Sequence, residues 1–267
     1  MTNSTHIARA TKEISQTKCS SSNRIIATEV PLSLCYNGVA HVVMMVTPDD
    51  VENFIVGFSI TEGIISQPSD IEETSLTHND QGIVANIWIK KALHEKLLKR
   101  RRNLVGQSGC GICGVEAIDD ALRQYEPVGA PPRYTVAQIQ SALVALETMQ
   151  PLHQKTGAVH GAAFLDKNAT ISHVAEDVGR HNAFDKLIGK LYRSGSEINN
   201  GAVILTSRCS FELVQKALAI KLPLLITISA PTDLAVRIAT DHTLTLIALA
   251  RHDTIQLMND PFGMFSD

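Results

Sequence analysis

The sequence predicts an α/β protein whose main sheet is covered by helices on both faces. Three observations carry that expectation. After Gly157, short continuous apolar runs alternate with amphipathic helical ones, the pattern of strands buried on both sides. Before it, RIIATEVPLSLCYNGVAHVVMMV (24–46) holds two β-rich runs joined at Asn37-Gly38, the strongest short-range hairpin signal. Between the two regions lies EPVGAPPR (126–133), rich in proline and glycine, which marks a boundary.

In chain order, residues 1–23 are polar and rich in Ser and Thr, and read as a disordered arm. An N-terminal β-rich α+β portion is expected over 24–125 and an α/β domain over 132–262. After the hairpin, Thr47-Pro48-Asp49-Asp50 supplies an N-cap, a first-turn proline and an acid. The helix it opens turns Val51, Phe54, Ile55 and Phe58 to one face and stops near Gly63. GIVANIWIK (82–90) is a strand, and KKALHEKLLKRRR (90–102) a basic helix. VEAIDDALRQY (115–125) is a short helix. Thr135 and Gln138 form a capping box for an amphipathic helix carrying Val136, Ile139, Leu143 and Leu146. GAVHGAAFL and TISHVA then pair across a turn, and a helix begins near Arg180. Strands AVILTS, LLITIS and TLIALA alternate with helices SFELVQKALAI and TDLAVRIA.

The 267 residues are 44% hydrophobic and 19% charged, with a formal net charge of −3. That is an ordinary globular composition with no global attraction for nucleic acid or an anionic membrane. No apolar run reaches the roughly 18 residues of a membrane span. The first residues lack the apolar stretch of a secretory signal, so the expected compartment is the reducing cytoplasm.

Five cysteines occur, at 19, 35, 110, 113 and 209, too scattered for a disulfide framework. Cys110 and Cys113 stand apart, in GQSGCGICGVE (106–116). A structural zinc site needs four ligands, and the chain has no second C-x-x-C pair. A thioredoxin-like redox pair follows a strand at a helix N-terminus, whereas a basic helix precedes this one. Gly109, Gly111 and Gly114 argue against an inert packed pair, because they remove side-chain bulk and suit an accessible loop. Lys99, Arg100, Arg101 and Arg102, just upstream, favour the thiolate; as a bland alternative they are a solvated helix face.

A second constellation is EDVGRHNAFDK (176–186), where ionisable side chains and an asparagine crowd a strand-to-helix junction. A plain surface junction is one reading. The other is a ligand site: Gly179-Arg180-His181 opens a helix, whose free N–H groups favour an anion. Ser207-Arg208-Cys209-Ser210 and Ser229-Ala230-Pro231-Thr232 have the same layout, and open α/β sheets bind ligands beyond their strands' carboxyl ends. Arginine at such ends suits a phosphate-bearing ligand. Cys209 reads as a packed residue and His160 as an interior one. Zinc deaminases place H-x-E before P-C-x-x-C; here the C-x-x-C comes first and no glutamate follows His160-Gly161, which excludes that chemistry.

Taken in order, SGCGICGVE, TGAVHGAAF, EDVGRHNAFDK and SRCSFELVQK resemble the FdhD/NarQ family of formate dehydrogenase accessory sulfurtransferases. EVPLSLCYNG, VVMMVTPDD and GFSITEGII agree, so the resemblance runs from about Arg24 to the last core strand. It implies a cytidine deaminase-like three-layer α/β/α core with an added N-terminal portion, and a homodimer. It implies a sulfurtransferase that takes persulfide sulfur from a cysteine desulfurase and passes it to the molybdenum bis(molybdopterin guanine dinucleotide) cofactor of formate dehydrogenase. That cofactor is a bound substrate; no permanently bound cofactor and no metal site are expected. The persulfide carrier matches Cys110, with Cys113 as its partner. The cofactor-contacting segment matches Leu249, Ala250, Arg251, His252, Asp253 and Thr254, and Arg180, His181 and Arg208 are further candidates for its pyrophosphates. The expected partners are the desulfurase and the dehydrogenase's catalytic subunit, with neither nucleic acid nor membrane. The chain departs from the family pattern after this segment, where it reads DTIQLMND and the basic residues reduce to Arg251 and His252. Two other readings remain open on the residues alone: a chaperone that binds the molybdenum cofactor without chemistry, and a thiol–disulfide oxidoreductase.

Overall fold

The structure is a computed structural model that describes residues 4–106 and 123–265. It opens with β1 (His6–Ile14) and β2 (Cys19–Ala27), an antiparallel ribbon in unbroken register from His6 opposite Ala27 to Ile14 opposite Cys19. This corrects the expectation of a disordered arm over 1–23. Ser/Thr-rich composition hid the ribbon because neither of its faces is apolar. Cross-strand pairing holds it instead, as where the Thr11 and Ser22 hydroxyls meet at 2.9 Å.

The next sheet has the order β4-β3-β6-β5, built from β3 (Val30–Tyr36), β4 (Val39–Val46), β5 (Ile71–Asn79) and β6 (Gly82–Ile89). The β3–β4 hairpin turns at Asn37 and Gly38, with φ of 47° and 79°, the left-handed pair that an Asn-Gly turn requires. Leu32, Leu34, Tyr36, Ile83, Ala85 and Ile87 face inward and are buried. Against this face packs α1 (Val51–Thr61), while α2 (Lys91–Gly106) leads to the cysteine segment.

Thr47 is not the cap of α1. Asp50 takes the N-cap position with φ of 54° and no side-chain capping bond. Thr47 instead ties the two portions together: its N–H donates to Asp177 Oδ2 at 3.0 Å and its hydroxyl accepts from the Val178 N–H at 3.1 Å. Long-range pairing outcompeted the local capping signal.

The second portion is a six-stranded sheet of order β12-β11-β10-β9-β7-β8. Its strands are β7 (His160–Asp166), β8 (Ile171–Asp177), β9 (Gly201–Leu205), β10 (Leu224–Thr227), β11 (Thr245–Ala248) and β12 (Gln256–Asn259). Strands β9, β10 and β11 are mutually parallel; β7 and β12 run against their neighbours. The helices are α3 (Val136–Thr148), α4 (Pro151–Thr156), α5 (Arg180–Ser194), α6 (Phe211–Ala219) and α7 (Asp233–Asp241). The capping box predicted at the start of α3 is present.

Alternation along the strands sorts the layers. Ala202 and Ile204 of β9 face α3 through Ile139, Leu143 and Leu146. Val203 and Leu205 face the opposite side, where Phe184, Leu187, Leu213 and Ala235 of α5, α6 and α7 cover the sheet. That second core does not stop at the helices. It continues through Phe54 and Ile55 of α1 to Leu34 and Ile87 of the N-terminal sheet, so the two portions share one apolar interior. Helices α1 and α5 cross backbone to backbone: a Cβ on Gly57 would lie 1.8 Å from the Asp185 carbonyl oxygen, and one on Gly189 1.9 Å from that of Asn53.

Candidate functional site

Strands β8, β9, β10 and β11 end at the same edge, where β7 and β12 begin. His160 opposes Asp177, the Gly161 N–H donates to Thr206 Oγ1 at 2.8 Å, and Ala248 opposes Gln256. Most of the polar residues singled out from the sequence are therefore brought to one rim. Arg180 and His181 open α5, Arg208 follows β9, and 249–254 follow β11.

The EDVGRHNAFDK stretch divides into two jobs. Asp177, Asn182, Asp185 and Lys186 are buried and structural. Lys186 Nζ lies 2.7 Å from Asp177 Oδ2 and donates to the Thr47 carbonyl at 3.0 Å. Asp177 Oδ1 accepts from the Gly179 N–H at 2.8 Å and from Asn182 Nδ2 at 3.0 Å; Asn182 also donates to the Met45 carbonyl at 2.8 Å. These bonds stitch the end of β4 to the start of α5. Buried ions so paired are costly to break singly, because the remaining charge has no water to return to.

Arg180 and His181 are different. Arg180 Nε and His181 Nε2 are buried atoms with no hydrogen-bond partner. Buried polar atoms are nearly always satisfied in folded proteins, so two unpartnered nitrogens at one helix start mark a place suited to a ligand atom. Burial, then the Arg180 charge and Lys216, push the His181 imidazole down to about 4, so it is neutral near pH 7. Burial and Arg180 likewise lower His160, which is half-buried at the rim.

Arg208 is exposed. In the last segment, Leu249 takes φ of 49° and its N–H donates to the Ser229 carbonyl at 3.3 Å, while the Ala250 N–H donates to Thr227 at 3.1 Å. Arg251, His252, Asp253 and Thr254 then project as an exposed loop, closed by the Arg251 N–H on the Thr254 carbonyl at 2.7 Å. His252 Nε2 lies 3.0 Å from Glu147 Oε1. Cys209 is fully buried, and burial pushes its thiol up to about 12, consistent with a packed residue.

Sequence reasoning missed two contributors. Gln150 is buried beside the rim, where a Cβ on Gly161 would lie 2.3 Å from its Nε2. Only Pro151, which breaks the helical pattern, hinted at a special position there. The other is the corner at the end of α1. Arg123 Nη2 lies 2.5 Å from Glu62 Oε2, and Lys216 Nζ lies 3.6 Å from Glu62 Oε1 and 2.9 Å from Asp185. Cys110 and Cys113, and most of the VEAIDDALRQY stretch, lie outside the described residues. Among the described residues, no cluster of three or more His, Cys, Asp or Glu is placed to hold a metal ion, and no helix is long and apolar enough to cross a membrane.

Fold and rim together define a mixed α/β protein that presents arginine and histidine along the carboxyl edge of its main sheet. The profile of the FdhD/NarQ family matches residues 27–264, and the chain belongs to that family. It is 44% identical over 226 residues to a sulfur carrier protein FdhD of Cupriavidus necator, covering 85% of this chain and 78% of that protein. To the sulfur carrier protein FdhD of Bordetella petrii it is 39% identical, covering 88% and 85%. A crystal structure of a putative formate dehydrogenase accessory protein from Desulfotalea psychrophila shares the fold, with a TM-score of 0.73 at 24% identity over 97% of this chain and 98% of that one.

Proposed function

We propose that this protein carries sulfur on Cys110, taking it from a cysteine desulfurase and delivering it to the molybdenum bis(molybdopterin guanine dinucleotide) cofactor destined for formate dehydrogenase. Membership in a family whose relatives are named sulfur carriers supports the reading. So does the C-G-I-C-G sequence at 110–114, which places two thiols among glycines.

Loading follows the rules of thiol–disulfide exchange. The Cys110 thiolate attacks the terminal sulfur of the donor persulfide; a new S–S bond forms on Cys110, the donor S–S bond breaks and the donor leaves as a thiolate. Delivery as sulfide takes up two electrons. Cys113 supplies them: its thiolate attacks Cys110 Sγ, a Cys110–Cys113 disulfide forms and HS⁻ leaves. At the metal HS⁻ replaces an oxo ligand, which departs as hydroxide.

The observation that carries the acceptor side is the unpartnered buried donor Arg180 Nε, with the equally unpartnered ring nitrogen His181 Nε2 beside it, at a helix start on the rim. A pyrophosphate oxygen would accept from Arg180 Nε, and charge-assisted bonds from arginine suit it. Arg208 and the 249–254 segment lie along the same rim, where they extend the contact.

The test is mass spectrometry of the whole protein after incubation with a cysteine desulfurase and cysteine. The parent gains one sulfur atom, Cys113→Ala gains it and retains it longer, and Cys110→Ala gains none. Equal uptake by Cys110→Ala would sink the assignment. A Cys110/Cys113 double alanine variant that still activates formate dehydrogenase would make the protein a cofactor chaperone instead.

A further inference from the structure

Unpartnered polar atoms gather on the rim. Among the described residues, eight side-chain nitrogens and oxygens are buried without a hydrogen-bond partner. Five of them belong to the carboxyl edge of the main sheet: Gln150 Nε2, Arg180 Nε, His181 Nε2, Ser210 Oγ and Glu212 Oε2. Such atoms are rare in folded proteins, and their concentration along one edge marks a place suited to ligand groups. They do not all call for the same group. Arg180 Nε can only donate, whereas an ionised Glu212 oxygen can only accept.

Arg180 and His181 stand in the first turn of α5 and Glu212 in the first turn of α6. All three side chains are half-buried, and Glu212 lies within electrostatic reach of the other two. Among the described residues, no ion pair joins Arg180 to Glu212. A first-turn acid complements its own helix dipole, but here Oε2 is left without a donor. A site for phosphate alone has no use for a carboxylate at its side, because like charges repel. The ligand that completes both Arg180 and Glu212 brings an anion and hydrogen-bond donors close together. A nucleoside 5′-diphosphate has that character: its diphosphate is anionic and the adjoining ribose carries two hydroxyls. Ribose hydroxyls donate to carboxylates in short, charge-assisted bonds. The base stands further from the phosphates than the sugar does, so a carboxylate beside the phosphate contact meets the sugar first.

We propose that Glu212 is a ligand-recognition residue: it accepts from the ribose hydroxyls of a nucleotide whose diphosphate meets Arg180. This rests on the reading of the rim as a pyrophosphate contact. The rim then distinguishes a ribonucleoside diphosphate from bare pyrophosphate, which brings no donor for Glu212 and meets its charge. It also distinguishes that nucleotide from one whose sugar lacks the hydroxyls, because a carboxylate desolvated by the ligand would be left unpaired. Glu212 takes no part in the sulfur chemistry.

Isothermal titration calorimetry of the full chain with four probes tests this: GDP, 2′,3′-dideoxy-GDP, ADP and inorganic pyrophosphate. The parent is expected to bind GDP about tenfold more tightly than its dideoxy form, the lower end for bonds to a charged group. Glu212→Ala is expected to lose that preference and bind the two within about twofold of each other. The same variant should bind inorganic pyrophosphate at least as tightly as the parent, because a repelling charge is gone. That last result also shows that the variant is folded. Equal affinity of the parent for GDP and dideoxy-GDP would overturn the inference, and this measurement needs no variant. So would a Glu212→Ala protein that keeps the parental preference. If it keeps that preference and instead loses discrimination between GDP and ADP, the carboxylate reads the base and the ribose assignment is wrong. A parent that binds neither GDP nor inorganic pyrophosphate defeats the pyrophosphate reading of the rim, and this inference with it.

Discussion

His181 shows how one residue carries both a fold cost and a binding opportunity. It sits in the first turn of α5, faced by Arg180 on its own helix, by Glu212 and Lys216 of α6 and by Glu62 beyond α1. Burial and the two cations hold its imidazole at about 4, against about 6.5 in the unfolded chain. Between those values the unfolded chain binds a proton that the folded one refuses. The stabilisation is therefore complete above pH 6.5 and is lost as pH falls through that window to about 4. At pH 5 the loss amounts to about 2 kcal/mol. Urea midpoints at pH 7.5 and pH 5 should show the parent losing that much more than His181→Gln, which has nothing to titrate. An equal loss in both proteins would remove His181 as the cause. The sequence marked His181 as a candidate because it follows Gly179-Arg180 at a helix start, a local signal. It gave no such sign for Glu62, whose partners Arg100, Arg123 and Lys216 come from distant points in the chain.

At the scale of elements, the crossing of α1 and α5 decides how the two portions meet. Glycine inside a helix ordinarily costs about 1 kcal/mol relative to alanine. At Gly57 that preference reverses, because an added methyl would sit 1.8 Å from the Asp185 carbonyl oxygen, and backbone cannot move aside as a flexible side chain can. Gly57→Ala is expected to destabilise the protein by about 3 kcal/mol, at the upper end for overpacking, measured by urea unfolding. A gain in stability would mean the helices stand further apart. Elements with strong periodicity were legible: the Asn37-Gly38 hairpin, the capped helix α3 and the alternating strands and helices after Gly157 all occur where the pattern puts them. The ribbon of β1 and β2 was not, and neither was β5, whose Glu72-Glu73-Thr74 start is polar. These strands depend on a neighbour's hydrogen bonds more than on an apolar face of their own, and composition does not record that.

For the whole molecule, the proline-rich boundary at 126–133 suggests two units, but the packing does not separate them. Leu34 and Ile87 of the first portion and Phe184, Leu205 and Leu246 of the second belong to one continuous core. The stitch from Thr47 and Met45 to Asp177, Asn182 and Lys186 adds buried polar bonds across the same junction. If either portion unfolded alone, it would expose the shared apolar surface of the other and strand the buried Asp177–Lys186 pair with part of its partners gone. Each partial state therefore bears most of the cost of unfolding with only part of the entropy gain, which is the condition for an all-or-none transition. The single tryptophan tests this directly. Trp88 lies on β6 of the first portion, whereas helices α3 to α7 of the second contribute to the far-ultraviolet circular dichroism. Urea titrations followed by Trp88 fluorescence and by circular dichroism should superimpose, with one midpoint and one slope. Two separated midpoints would show that the boundary read from the prolines is also an energetic one, and the joint core would then contribute less than its continuity implies.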